Sequence, residues 1–187
     1  MTSKHHARRY GRLPGDLPKE EMVARMVRVD QAGEYGAQRI YAGQLAVLGQ
    51  RADSDPIREM AAKEDEHLAA FDRMMVERRV RPTALQPLWH LAGFALGAAS
   101  ALMGRDAAMA CTVAVEEVIE EHYAQQAELL GEEEPELKAK ILEFRDDELG
   151  HRDTGLAEGA TRAPAYPVLS AAVKAGSRLA IWLSERI

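Results

Sequence analysis

A chain of 187 residues, 47% hydrophobic, has material for one sizeable core and is excluded from the disordered class. Its formal net charge of −6 excludes a general nucleic-acid binder, so no nucleic-acid partner is expected. The lone Cys111 excludes a disulfide framework and any Cys-rich zinc site, and it fits a reducing compartment.

Taken in order, Met1 to Asp16 holds His5, His6, Arg8, Arg9 and Arg12 among glycines and Pro14, with no apolar signal core. Residues 1–17 are expected to be a mobile basic arm, and 18–187 one domain. Pro18-Lys19-Glu20-Glu21 opens a first helix, with acids in the first turn. Its seam runs Val23, Val27, Asp30, Glu34, Ala37, Tyr41, Leu48, the period of a stripe buried in a bundle. Asp30 and Glu34 interrupt it, and a carboxylate in a core seam is costly unless paired or metal-bound. For Glu34 taken alone, an arginine salt bridge is the commoner arrangement and a metal ligand the rarer one. Gly33 and Gly36 flank it and would let a neighbouring helix approach closely.

Asp53-Ser54-Asp55-Pro56 makes a turn, with Asp55 expected as N-cap and Pro56 in the first turn of a second helix running to about Arg79. Its seam is Ile57, Met60, Glu64, His67, Phe71, Met74, and the two middle rungs are polar. Positions three apart share a helix face, so Glu64 and His67 offer an oxygen and a nitrogen to one point. From Pro82 to Gly104 there is no Asp, Glu, Lys or Arg. Pro82, Pro87 and His90 interrupt this run, which predicts a helix buried in the protein or lying at a membrane interface rather than one spanning the bilayer.

Gly104-Arg105-Asp106 starts a third bundle helix with the seam Met109, Thr112, Val113, Glu116, Ile119, Tyr123, Leu130. Periodicity prefers Glu116 to Glu117 only modestly, and Glu120 lies one turn beyond. The fourth has Leu137, Ile141, Phe144, Glu148, His151, Gly155, the pattern of the second helix again, and Gly159 and Pro164 end it. The segment Tyr166 to Ile187 is apolar with a narrow basic side at Lys174 and Arg178, suiting a packing helix or an interfacial anchor.

The two halves therefore repeat: a core Glu (Glu34, Glu116), then Glu-x-x-His (Glu64/His67, Glu148/His151). Di-iron and di-manganese carboxylate bundles use this inventory. Four carboxylates balance two divalent ions, and oxygen-rich ligation with one imidazole per ion suits iron or manganese better than structural zinc. Glu64 and Glu148 are the candidate bridges. The predicted fold is all-α, a ferritin-like four-helix bundle with an apolar crossover over 82–104 and an added amphipathic helix over 166–187. A ferritin-like ferroxidase and a non-enzymatic lipid-binding helical protein are the alternative readings.

The strings Val29-Asp30-Gln31-Ala32-Gly33-Glu34-Tyr35-Gly36-Ala37, Arg39-Ile40-Tyr41-Ala42-Gly43-Gln44 and Ala110-Cys111-Thr112-Val113-Ala114-Val115-Glu116-Glu117 resemble the demethoxyubiquinone hydroxylases of ubiquinone biosynthesis. So do Arg79-Val80-Arg81-Pro82-Thr83, Pro87-Leu88-Trp89, Gly93-Phe94-Ala95-Leu96-Gly97 and Leu183-Ser184-Glu185-Arg186. The resemblance selects Glu116 over Glu117. It implies a two-iron monooxygenase, peripheral on the cytoplasmic side of the cell membrane, that uses O2 to hydroxylate the ring of a polyprenyl benzoquinol. It further implies a lipid-binding accessory protein and a homo-oligomer as partners, and NADH or another reductant, although no Gly-x-Gly-x-x-Gly motif is present. His122 and Tyr123 resemble the family's His-Tyr pair, implying a role in positioning the quinol or relaying a proton or electron; core packing accounts equally well for Tyr123.

Overall fold

The computed structural model describes residues 17–187, so the expected basic arm lies, apart from Leu17, outside the described residues. The helices are α1 (Lys19–Leu48), α2 (Asp55–Arg78), α3 (Gln86–Leu102), α4 (Arg105–Leu130), α5 (Pro135–Ala157) and α6 (Tyr166–Ser184), with a 3₁₀ turn at Ala160–Arg162. No strand occurs among the described residues. Helices α2, α3, α5 and α6 each carry a proline at the first or second position, where its fixed φ suits the turn and its missing N–H costs nothing.

The bundle consists of two hairpins, α1–α2 and α4–α5. Within each hairpin the helices pack along their length, whereas α1 meets α4, and α2 meets α5, at few points. Side chains fill the space between the hairpins. Helix α3 is the long crossover from α2 to α4 and lies along α1, while α6 lies along α4. This is the all-α, ferritin-like arrangement with a single crossover connection.

Burial follows the predicted seams. Val27, Ile57, Phe71, Met109, Tyr123 and Ile141 are almost wholly buried. They belong to two apolar clusters, one including Phe71, Tyr123 and Ile141, the other Tyr41, Ile57 and Met109. Each such side chain contributes about 1.5–3 kcal/mol, and together they offset the several kcal/mol that each buried carboxylate costs.

Three local expectations need correction. Helix α2 begins at Asp55 itself, with Ser54 before it. The Ser54 hydroxyl lies 2.6 Å from the Leu48 carbonyl and 2.8 Å from that of Arg51, closing the end of α1, and Asp55 binds Arg58 at 2.6 Å. At the far end of α2 the buried methionine is Met75; Met74 is only half-buried. A straight helix drifts against a strict heptad, and one position is gained over this length. At Gly33 an added Cβ would meet nothing within 4 Å, whereas at Gly36 the backbone is approached closely by α3: a Cβ on Gly93 would lie 2.9 Å from the Gly36 carbonyl oxygen. The approach is tightest at Gly43 and Gly97, where a Cβ would collide with the backbone of Phe94 and Ile40 respectively, so α1 and α3 touch main chain to main chain.

A candidate dinuclear metal centre

Midway along the four bundle helices the seams turn polar, and the six predicted ligands converge. Glu34 comes from α1, Glu64 and His67 from α2, Glu116 from α4, and Glu148 and His151 from α5. Every one is buried. They form two groups whose potential ligand atoms lie within 4.8 Å of one another: Glu34, Glu64, His67 and Glu148, and Glu64, Glu116, Glu148 and His151. Glu64 and Glu148 belong to both. His67 Nδ1 lies 3.2 Å from Glu148 Oε1 and 3.6 Å from Glu34 Oε2. His151 Nδ1 lies 3.0 Å from Glu64 Oε1 and 3.2 Å from Glu148 Oε2.

Hydrogen bonding tests whether this set fits a metal pair. Both oxygens of Glu64, one oxygen each of Glu34, Glu116 and Glu148, and His67 Nδ1 are buried without a hydrogen-bond partner. Buried polar atoms are almost always paired, so this many lone pairs aimed at one space call for a cation. The donor set fits iron or manganese.

Electrostatics agree. Burial, and then the charges of Glu148, Glu34 and Glu116, push the Glu64 carboxyl well above the usual range. Burial and Glu148 do the same to Glu116, against the pull of the Tyr41 hydroxyl. Burial works against ionised Glu148 too, yet its bonds to His151 and His67 hold it down to about 2. His67 is likewise raised to about 10: burial opposes its charge, and Glu148 and Glu34 outweigh burial.

The flanking acids take other roles. Glu117 pairs with Lys174 of α6. Glu120 accepts from Arg145 Nε at 2.6 Å and does not reach the centre. Among the described residues Glu34 has no arginine partner; it accepts from the hydroxyl of Tyr123. The predicted His-Tyr pair thus divides. Tyr123 is buried at Glu34, with its ionisation pushed well up by burial and that carboxylate, whereas His122 turns to Asp30 Oδ1 (3.4 Å) and Gln126 Nε2 (2.8 Å).

Two contacts were not foreseen. The Tyr41 hydroxyl donates to Glu116 Oε1 at 2.7 Å, and His67 Nε2 meets Asp147 Oδ2 at 3.0 Å. The signal for Tyr41 stood in the sequence: Tyr41 follows Glu34 by seven residues, as Tyr123 follows Glu116. Asp147 had none beyond its place beside Glu148.

Beside the centre lies a cleft of about 390 Å³, enclosed by α1, α3, α4 and α6. Val29, Gly33, Gly36, Trp89, Ile119 and Ile181 are among its lining residues. Gly33 adjoins Glu34 in sequence, and Val115, also in the lining, adjoins Glu116, so the cleft floor runs along the helix turns that carry the ligands. Trp89 Nε1 donates to Ser184 Oγ at 3.0 Å, joining α3 to α6 across one end. The outer faces of both helices are apolar and exposed: Leu88, Leu91 and Leu102 on α3, Leu179 and Trp182 on α6. Among the described residues no helix is long and apolar enough to cross a membrane.

Residues 21–184 match the family described as ubiquinone biosynthesis protein COQ7. The chain belongs to that family. It is 59% identical over 177 residues to the 3-demethoxyubiquinol 3-hydroxylase of Rhodospirillum rubrum, covering 94% of this chain and 84% of that one. To the human NADPH-dependent 3-demethoxyubiquinone 3-hydroxylase, mitochondrial, it is 54% identical over 169 residues, covering 88% and 78%. To the mitochondrial 5-demethoxyubiquinone hydroxylase of Saccharomyces cerevisiae it is 38% identical over 210 residues, covering 99% and 90%.

Proposed function

We propose that this chain is a 3-demethoxyubiquinol 3-hydroxylase of ubiquinone biosynthesis, an oxidoreductase that holds two iron ions with Glu34, Glu64, His67, Glu116, Glu148 and His151. One observation carries the reading: two overlapping carboxylate–imidazole groups with unpartnered buried donors adjoin an apolar cleft fit for a polyprenyl quinol. Iron bound there supplies the activation of O2, so that one oxygen atom enters the ring as a hydroxyl and the other leaves as water, with two electrons drawn from NADPH, NADH or another reductant.

The protein's own part is positioning and exclusion. The Tyr41 and Tyr123 hydroxyls each hold one oxygen of Glu116 and Glu34, leaving the other oxygen facing the centre. The cleft walls exclude water and receive the quinol ring, and Gly33 and Gly36 leave room for it beside Glu34. His122 keeps an edge toward solvent and joins Asp30, which supports a role for the His122–Tyr123 pair in relaying protons or electrons inward. The exposed stripes of α3 and α6 suit the surface of a bilayer, from which a lipid-borne substrate would enter, and a lipid-binding accessory protein could share that face. The chain then works as a peripheral protein on the cytoplasmic side of the cell membrane, whereas the human and yeast relatives are named as mitochondrial.

Iron-loaded protein given short-tail demethoxyubiquinol, O2 and reductant should yield quinol with one additional hydroxyl. Oxidation of two bound irons with the quinol unchanged would favour the ferroxidase reading instead.

A further inference from the structure

The repeat within the chain extends past the ligands. A shift of 82 residues carries Glu34 to Glu116, Tyr41 to Tyr123 and Gln44 to Gln126; a shift of 84 carries Glu64 to Glu148 and His67 to His151. The contacts obey the same relation, crossed between α1 and α4. Tyr41 donates to Glu116 and Tyr123 to Glu34; Gln126 Nε2 donates to Asp30 at 2.7 Å, and Gln44 Nε2 reaches Thr112 Oγ1 at 3.3 Å.

Against that symmetry, the polar positions that differ include three on one side, beside Glu34 and His67. Asp30 stands where the other half has Thr112, His122 where it has Ile40, and Asp147 where it has Lys63. Asp147 backs His67 at 3.0 Å, whereas the outer ring nitrogen of His151 has no acceptor among the described residues. Lys63 does not serve His151; it reaches Asp147 Oδ2 at 3.4 Å. Asp30 and His122 lie beside Tyr123 and hence beside Glu34, the carboxylate grouped with His67.

We propose that the two metal positions are inequivalent by construction: the Glu34–His67 position binds its ion more tightly and fills first, and Asp147 is the positioning residue that makes it so. A carboxylate behind a ligating imidazole fixes its tautomer and ring orientation and raises its basicity as a ligand. His67 has that support and His151 lacks it. Asp30 places a buried carboxyl on the same side, where the other side has the hydroxyl of Thr112. The proposal rests on the six residues being a two-metal site.

The test is an anaerobic titration of metal-free full-length protein with Co²⁺, followed by visible absorption. Wild type should bind two ions in two steps at least about tenfold apart in affinity. His67→Ala should remove the tighter step and His151→Ala the weaker. Asp147→Asn should weaken only the tighter step, by about 10–100-fold, the usual cost of losing such a partner. Asp147 is partly exposed, so its variant should fold, which the helical circular dichroism signal checks; Asp30→Asn should weaken the same step by a smaller factor. Two ions bound alike in wild type, or Asp147→Asn weakening the step that His151→Ala removes, would overturn the inequivalence and leave the two-metal site standing. Failure to bind two ions at all would overturn the site itself, and the proposal with it.

Discussion

Glu64 belongs to both candidate metal groups, and neither of its buried oxygens has a hydrogen-bond partner. Glu64→Ala, or His151→Ala, should therefore abolish hydroxylation. The fold should survive, because burial and the neighbouring carboxylates push the Glu64 carboxyl well above its usual range, so its removal relieves a costly buried acid. Turnover assays beside a helical circular dichroism spectrum check both halves of that statement. Tyr41→Phe removes a hydrogen bond to a carboxylate, worth about 1.5–3 kcal/mol. It should loosen Glu116 and lower metal affinity while Glu34, held by Tyr123, keeps its place. At this scale the sequence was most legible where a residue broke a periodic pattern: all six ligand candidates are polar rungs in apolar seams. Tyr41 broke no pattern, since a tyrosine belongs in a core seam. Asp147 sits outside the seam altogether, so its contact has no signal in spacing, and that of Tyr41 shows only when the two halves are compared.

At the scale of the elements, the bundle helices were legible because prolines mark four helix starts and glycines or charged turns mark the ends. What periodicity within each helix does not give is which glycine faces a neighbour and which faces a void. That depends on where α3 crosses α1. Gly97→Val should force those backbones apart and destabilise the protein by about 1–3 kcal/mol or more, read as a lower denaturation midpoint. Gly33→Ala meets no atom and should leave stability nearly unchanged, while narrowing the cleft beside Glu34. On the outer face, Leu91 and Trp182 are 69% and 51% exposed, apolar, and outside the cleft lining. Leu91→Asp combined with Trp182→Asp should weaken sedimentation with anionic vesicles. It should also raise KM for long-tail quinol in vesicles, with turnover of a dispersed short-tail quinol retained. Unchanged vesicle binding would contradict the membrane-facing assignment of α3 and α6.

For the whole molecule, metal, protons and stability are linked. Glu64 and Glu116 have folded-state values raised above the unfolded ones, so they stabilise the metal-free protein at low pH and lose that contribution as pH rises through the folded values. His67, raised to about 10, acts in the same direction. Glu148, held down to about 2, is the opposite case: its contribution is present above the ordinary carboxylate range and fails only in strong acid. From the ordinary histidine value of 6.5 up to about pH 10 the metal-free protein should therefore lose stability with rising pH. Ion binding requires ionised carboxylates and neutral imidazoles and releases protons, so metal affinity should rise over the same interval. The gap in melting temperature between metal-loaded and metal-free protein should widen with pH, and a gap that narrows would contradict the ligand assignment.

The claim on which all scales converge is that this centre inserts an atom of O2 into a quinol ring. Iron-loaded protein, mixed anaerobically with short-tail demethoxyubiquinol and then exposed to isotopically heavy O2 in ordinary water, tests it by mass spectrometry of the quinone. One heavy oxygen in the ring product is the expected result. A product carrying ordinary oxygen from water, or oxidised iron with no hydroxylated product, would contradict it.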